Sequence, residues 1–153
     1  MLDRFRKRAD PSDDETAEVM RGLAEAFVRG AAAEGQPFGW ESAEAARLDG
    51  VCDEFLAGDP PAEYHHTLIM GMGAYLGELL VRHGGGRWAF DPATSAAVVE
   101  MPNELSAYPH NKVAKRLHQG PEHDLFEFYR YALTRETPPG TNIRVLPGPG
   151  TGS

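Results

Sequence analysis

Hydrophobic and polar positions along this chain follow a helical period that breaks near Gly86. Before it, apolar residues recur every three or four positions, the mark of helices with one buried stripe. Val19, Met20, Leu23, Phe27 and Ala31 outline a first helix. Ser12 stands three residues ahead of Glu15 in capping-box spacing, Pro11 precedes it, and Gly35 ends the run. "GQPFGW" (35–40) reads as a turn. A second helix is predicted over 41–57, with Ala45, Leu48, Cys52, Phe55 and Leu56 inward and Gly58 as terminator. "GDPPAE" (58–63) restarts the chain, with Asp59 as cap and Pro60 at the first helical position, where its missing N–H costs nothing. Tyr64, Leu68, Met72, Tyr75, Leu76, Leu79, Leu80 and His83 then keep the helical period as far as "HGGGRW", where a glycine suits the left-handed position past a helix end.

Beyond Gly86 the pattern shortens. "RWAF" (87–90) and "AAVVEM" (96–101) read as strands, and "ELSAY" (104–108) as a third, joined through "PN". "NKVAKRLHQG" (111–120) is a short helix. "PEHDLFEFYRYAL" (121–133) is another, starting at Pro121 and burying Leu125, Phe128, Tyr129 and Leu133. The predicted fold class is α+β: a helical N-terminal half, a small antiparallel β-meander at about 87–108, and two C-terminal helices. Residues 1–11 are expected to be a basic flexible N-terminus, 12–135 a single domain, and 136–153 a disordered Pro/Gly-rich tail.

Composition narrows the function classes. At 153 residues, 41% hydrophobic and 25% charged, the chain has the size and make-up of one soluble domain. Its single cysteine, Cys52, excludes an intramolecular disulfide and a Cys-based zinc cluster, and fits a reducing cytoplasm. Cys52 falls on the stripe of Leu48 and Phe55, as a small buried hydrophobe does. Charge is uneven: "MLDRFRKR" (1–8) carries +3, which leaves −11 on the rest of a chain of net −8. So acidic a body repels phosphate backbones, and nucleic acid is not an expected partner. Residues 4–8 offer at most weak contact with an anionic membrane surface. No apolar stretch follows them as a secretory signal would require. The apolar run 67–81 falls short of the ~20 residues that span a bilayer.

"GMGAYLGELLVRHGGGRW" (71–88) raises two readings. A G-x-G-x-x-x-G turn with Asp91 twenty residues on suggests a dinucleotide site. Against it, the helical period begins before the glycines and runs through them, and no repeated βαβ units surround it. In a helix each glycine costs about 0.5–1 kcal/mol relative to alanine. Gly73 and Gly77, one turn apart, therefore predict a smooth groove in which Trp88 or the first helix lies. Glu78 beside them, if buried, needs a partner, and Lys112, Lys115 and Arg116 on the short helix are the expected supply. A structural role is expected for Gly73, Gly77, Glu78 and Trp88, and no cofactor.

Other chemistry is sparse. The six histidines show no H-E-x-x-H, H-x-H or i, i+4 spacing, so surface histidines and no metal are expected. No G-x-S-x-G elbow occurs. "GGGR" (84–87) follows a helix C-terminus, whose dipole disfavours anions. No catalytic residue is assigned.

"GAYLGELLVRHGGGRW", "NKVAKRLHQG" and "LFEFYRYA", preceded by "ESAEAARLDGVCDEFL", resemble a class of small bacterial domains of unknown function. That class carries a G-x-x-x-G-E helix, a G-G-x-W strand start and a P…K-V-x-K-R…G segment. The resemblance covers roughly residues 40–132, and it implies a compact α+β domain and no activity. The function expected is a non-catalytic protein-interaction module, of inhibitory or immunity type in its sharpest form. Its surface would use Trp40, Tyr108 and the acids of the second helix, or the strip Lys112, Lys115 and Arg116. The alternative is an enzyme or small-ligand binder with a pocket at Glu78, Trp88 and that strip.

Overall fold

The computed structural model describes residues 9–136. The expectations for residues 1–8 and 137–153 lie outside them. The elements run α1 (Asp13–Ala33), a 3-10 turn (Ser42–Arg47), α2 (Leu48–Ala57), α3 (Ala62–Gly84), β1 (Arg87–Asp91), β2 (Ala96–Glu100), β3 (Ser106–Ala107), α4 (Pro109–Gln119) and α5 (Leu125–Thr134). The fold is α+β, with helices on both sides in sequence of a three-stranded antiparallel sheet of order β1-β2-β3.

Local chemistry sets most boundaries. Ser12 and Glu15 close a reciprocal capping box at the start of α1. The helix also reaches the sheet there, because Asp13 accepts the Phe90 amide at 3.0 Å. The predicted second helix is two pieces, a 3-10 turn and then α2, and it ends at Gly58 in a right-handed conformation. Asp59 does not cap α3: it lies at positive φ, and the helix begins two residues past Pro60. Gly85 takes the left-handed position at the end of α3. The third strand is only two residues long. The last helix starts at Leu125, not Pro121, because the Asp124 side chain caps it through the Glu127 amide.

α3 is the axis of the core. Met72 through Leu80 are buried without a break, all round the helix. α1, α4 and the sheet enclose that half. Trp88 pairs with Val99 across β1 and β2, both on the inner face. Phe27, Phe38, Trp40 and Tyr75 form an aromatic cluster at its flank, with ring centroids 5.1–5.5 Å apart. Two positions expected inside face out instead: Val19 is 56% exposed and Tyr64 55%.

Candidate functional site

Gly73 and Gly77 do face close neighbours. A side chain at Gly77 would run into the Trp88 ring, with Pro109 Cγ at 3.3 Å beside it. One at Gly73 would run into His110, whose Cα lies 2.8 Å from the added carbon. So Trp88 fills part of the groove, and the start of α4 fills the rest. The first helix meets α3 a little earlier, where Phe27 approaches Gly71. The α4 contribution was invisible from spacing alone, because Pro109 and His110 are more than thirty residues away in sequence.

Glu78 is buried, with 4% of its surface exposed. Its partners are not those expected. Trp88 Nε1 donates to its Oε2 at 2.9 Å, and Arg82 Nε lies 3.8 Å from Oε1. Arg82 also covers the Trp40 ring at 4.0 Å, so one guanidinium joins the turn at 35–40 to the buried carboxylate.

The expected basic strip is broken. Arg116 is 3% exposed and turned inward, its Nε donating to Asp49 at 2.9 Å and its Nη2 to Asp53 at 2.7 Å. Asp49 also accepts the amides of Leu125 and Phe126, so it satisfies free N–H groups at the start of α5. Asp49 and Asp53 of the second helix are thus tied into a three-helix junction. Lys112 is half-buried, and burial foremost, with Lys115 beside it, lowers its pKa. Trp40 and Tyr108 are half-buried too. The Trp40 carbonyl meets His83 Nε2 at 2.6 Å, and the Tyr108 hydroxyl donates to Asp91 at 2.9 Å. Cys52 lies fully buried against Met72, and desolvation pushes its thiol up to about 12, which leaves no thiolate near neutral pH.

Two clefts stand out among the described residues, and neither is lined by Glu78, Trp88, Lys112, Lys115 or Arg116. The smaller, about 330 Å³, lies between α1 and the sheet and reaches His110, whose Nε2 has no hydrogen-bond partner. Burial holds the His110 pKa below the ordinary value, and the Met70 carbonyl opposes this. The larger, about 820 Å³, is a trough between α1, α2 and the first half of α3. Leu23, Phe27, Val51, Phe55 and Leu68 give it apolar walls. α1 and α2 touch each other little, which leaves it open along its length.

The rim of the trough carries Glu34 and Glu54, with Gln36 donating to Glu54. Among the described residues no lysine or arginine lines it. Tyr64 stands exposed at its edge. The sequence pattern assigned Leu23, Phe27, Phe55, Tyr64 and Leu68 to buried stripes, and only the splay of three helices makes them a surface. Among the described residues no three His, Cys, Asp or Glu side chains converge as a metal site, and no helix is long and apolar enough to cross a membrane. No family model, no curated protein and no solved structure matches this chain.

Proposed function

We propose that this domain is a non-catalytic interaction module that seats an amphipathic helical segment of another protein in the trough between α1, α2 and the first half of α3. The observation that carries the reading is the combination of apolar walls with a rim of carboxylates and, among the described residues, no lysine or arginine. Such a trough suits a helix that lays its apolar face inward and keeps lysines or arginines at its edges. The net charge of −8 favours the same class of partner at longer range. Restraint of a basic protein, as an inhibitor or immunity factor, is the sharper form of this reading. A cytoplasmic location belongs to it as well, since a lone buried thiol needs no oxidising compartment. The resemblance to bacterial domains of unknown function is compatible with it and adds no activity. The enzyme alternative draws less support, because Glu78, Trp88 and the basic residues line neither of the two clefts.

The test is fluorescence anisotropy with a labelled helical peptide of leucines on one face and lysines on the other. The domain binds it, and Glu54→Lys and Tyr64→Glu each weaken binding at least about tenfold, or 1.4 kcal/mol. The same peptide with glutamates for lysines does not bind. Equal affinity for both peptides, or no effect of either substitution, contradicts the proposal.

A further inference from the structure

His65 and His118 are 53 residues apart in sequence, yet α3 and α4 bring their rings together at the surface. His65 Nδ1 lies 3.3 Å from His118 Nε2, with the ring planes 11° apart. Motif spacing could not find this pair, because it looks for histidines close together in the chain.

The protonation pattern of the pair can be read from its surroundings. His65 Nε2 faces the Pro60 carbonyl at 3.3 Å, so the proton belongs on Nε2, and Nδ1 presents a bare lone pair toward His118. Metal-bound histidines are held in this way, one nitrogen ligating while the other N–H donates to a carbonyl. The Phe55 ring meets His65 edge-on at 5.2 Å and limits its rotation. The separation also fits. With Zn–N bonds of 2.0–2.1 Å, two imidazoles at a tetrahedral angle stand roughly 3.3–3.4 Å apart.

We propose that His65 and His118 form an open, two-histidine site for a borderline divalent cation such as Zn²⁺. Imidazole donors favour zinc, copper and nickel over the oxygen-seeking magnesium and calcium. The ion displaces the hydrogen shared between the rings and sits to one side of the line joining the two nitrogens, where the lone pairs converge after a tilt of the rings. His118 moves its proton to Nδ1, and both rings ligate as neutral imidazoles. Two protein ligands leave the remaining positions to water or to a donor from a second molecule. Binding ties the first half of α3 to the last turn of α4, close to Pro60 and Phe55 at the trough. The site stands on its own geometry and does not depend on the proposed partner.

Isothermal titration of the whole chain with zinc chloride at pH 7.5, alongside melting curves, tests it. One ion binds per chain in the micromolar range, and saturating zinc raises the melting temperature by several degrees. His65→Ala and His118→Ala each weaken binding at least about tenfold and remove the thermal shift. His66→Ala, an exposed neighbour, leaves both unchanged, and magnesium produces neither. His118 is exposed, so its alanine variant keeps the fold and carries the test even where His65→Ala destabilises. No binding by the unaltered chain below about 1 mM zinc overturns the proposal, as does binding that survives His118→Ala or is lost with His66→Ala.

Discussion

The two halves of α3 belong to one continuous helix and do opposite work. From Met72 to Leu80 every residue is buried, and from Ala62 to Gly71 none is. The closed half carries the conspicuous motif: glycines at 73 and 77, a buried glutamate and a tryptophan pointed at it. All of that chemistry is spent inside the fold, on close approach of Trp88, Pro109 and His110 and on satisfying one carboxylate. The open half has no motif at all. Its residues matter because α1 and α2 diverge above them and leave an apolar floor uncovered. A conspicuous pattern in a sequence marks a demanding position, and here the demand comes from packing.

Substitutions break or sharpen that contrast. Gly77→Leu is expected to have the largest effect, because the Trp88 ring already occupies the space a side chain needs. Overpacking of this kind costs about 3 kcal/mol or more, enough to unfold a marginal domain, and urea denaturation measures it. A stable, soluble Gly77→Leu would show the groove to be unimportant. Arg116→Ala comes next. It takes the guanidinium from Asp49, which keeps the Leu125 and Phe126 amides, and from Asp53, which is 66% exposed, so the loss falls below that of a wholly buried pair, at about 2–3 kcal/mol in the same assay.

Trp88→Phe keeps most of the ring and removes its N–H. Among the described residues Glu78 then retains only Arg82 at 3.8 Å, and the expected loss is about 1.5–3 kcal/mol, the worth of a hydrogen bond to a charged group. In a double-mutant cycle with Glu78→Gln, the two losses should fall short of adding. Additive losses would mean the bond contributes nothing. The smallest effect belongs to the open half. Tyr64→Ser, at a position 55% exposed, should change stability by less than about 0.5 kcal/mol while still weakening peptide binding.

Much of the fold was legible in the sequence, for reasons visible in single residues. Ser12 and Glu15 specify a helix start by themselves, and Gly85 a helix end. The short apolar run of β1 and the β-branched run of β2 are local too, so the meander could be read. Misplaced boundaries came from competing local signals. Pro60 and Pro121 each resemble a first helical residue, yet the helices begin at Ala62 and at the Asp124 cap.

The partners of charged groups were less legible. Lys112, Lys115 and Arg116 share the face of one helix by period, but nothing in that period says that Arg116 turns toward Asp49, 67 residues away. Exposure along a stripe was also beyond reach. Val19 keeps the helical period of α1, and Tyr64 that of α3, yet both are more than half exposed. The trough and the His65–His118 pair depend on how whole helices lean, which no window of sequence contains.

The division of α3 is tested most directly by nitrogen–proton NMR shift mapping as the basic amphipathic peptide is added. The account predicts shifts in the amides of α1, α2 and residues 64–71 that line the trough, with the Trp88 indole N–H signal unmoved on Glu78. Shifts centred on Trp88, Glu78 and Arg116, with the trough silent, would contradict it.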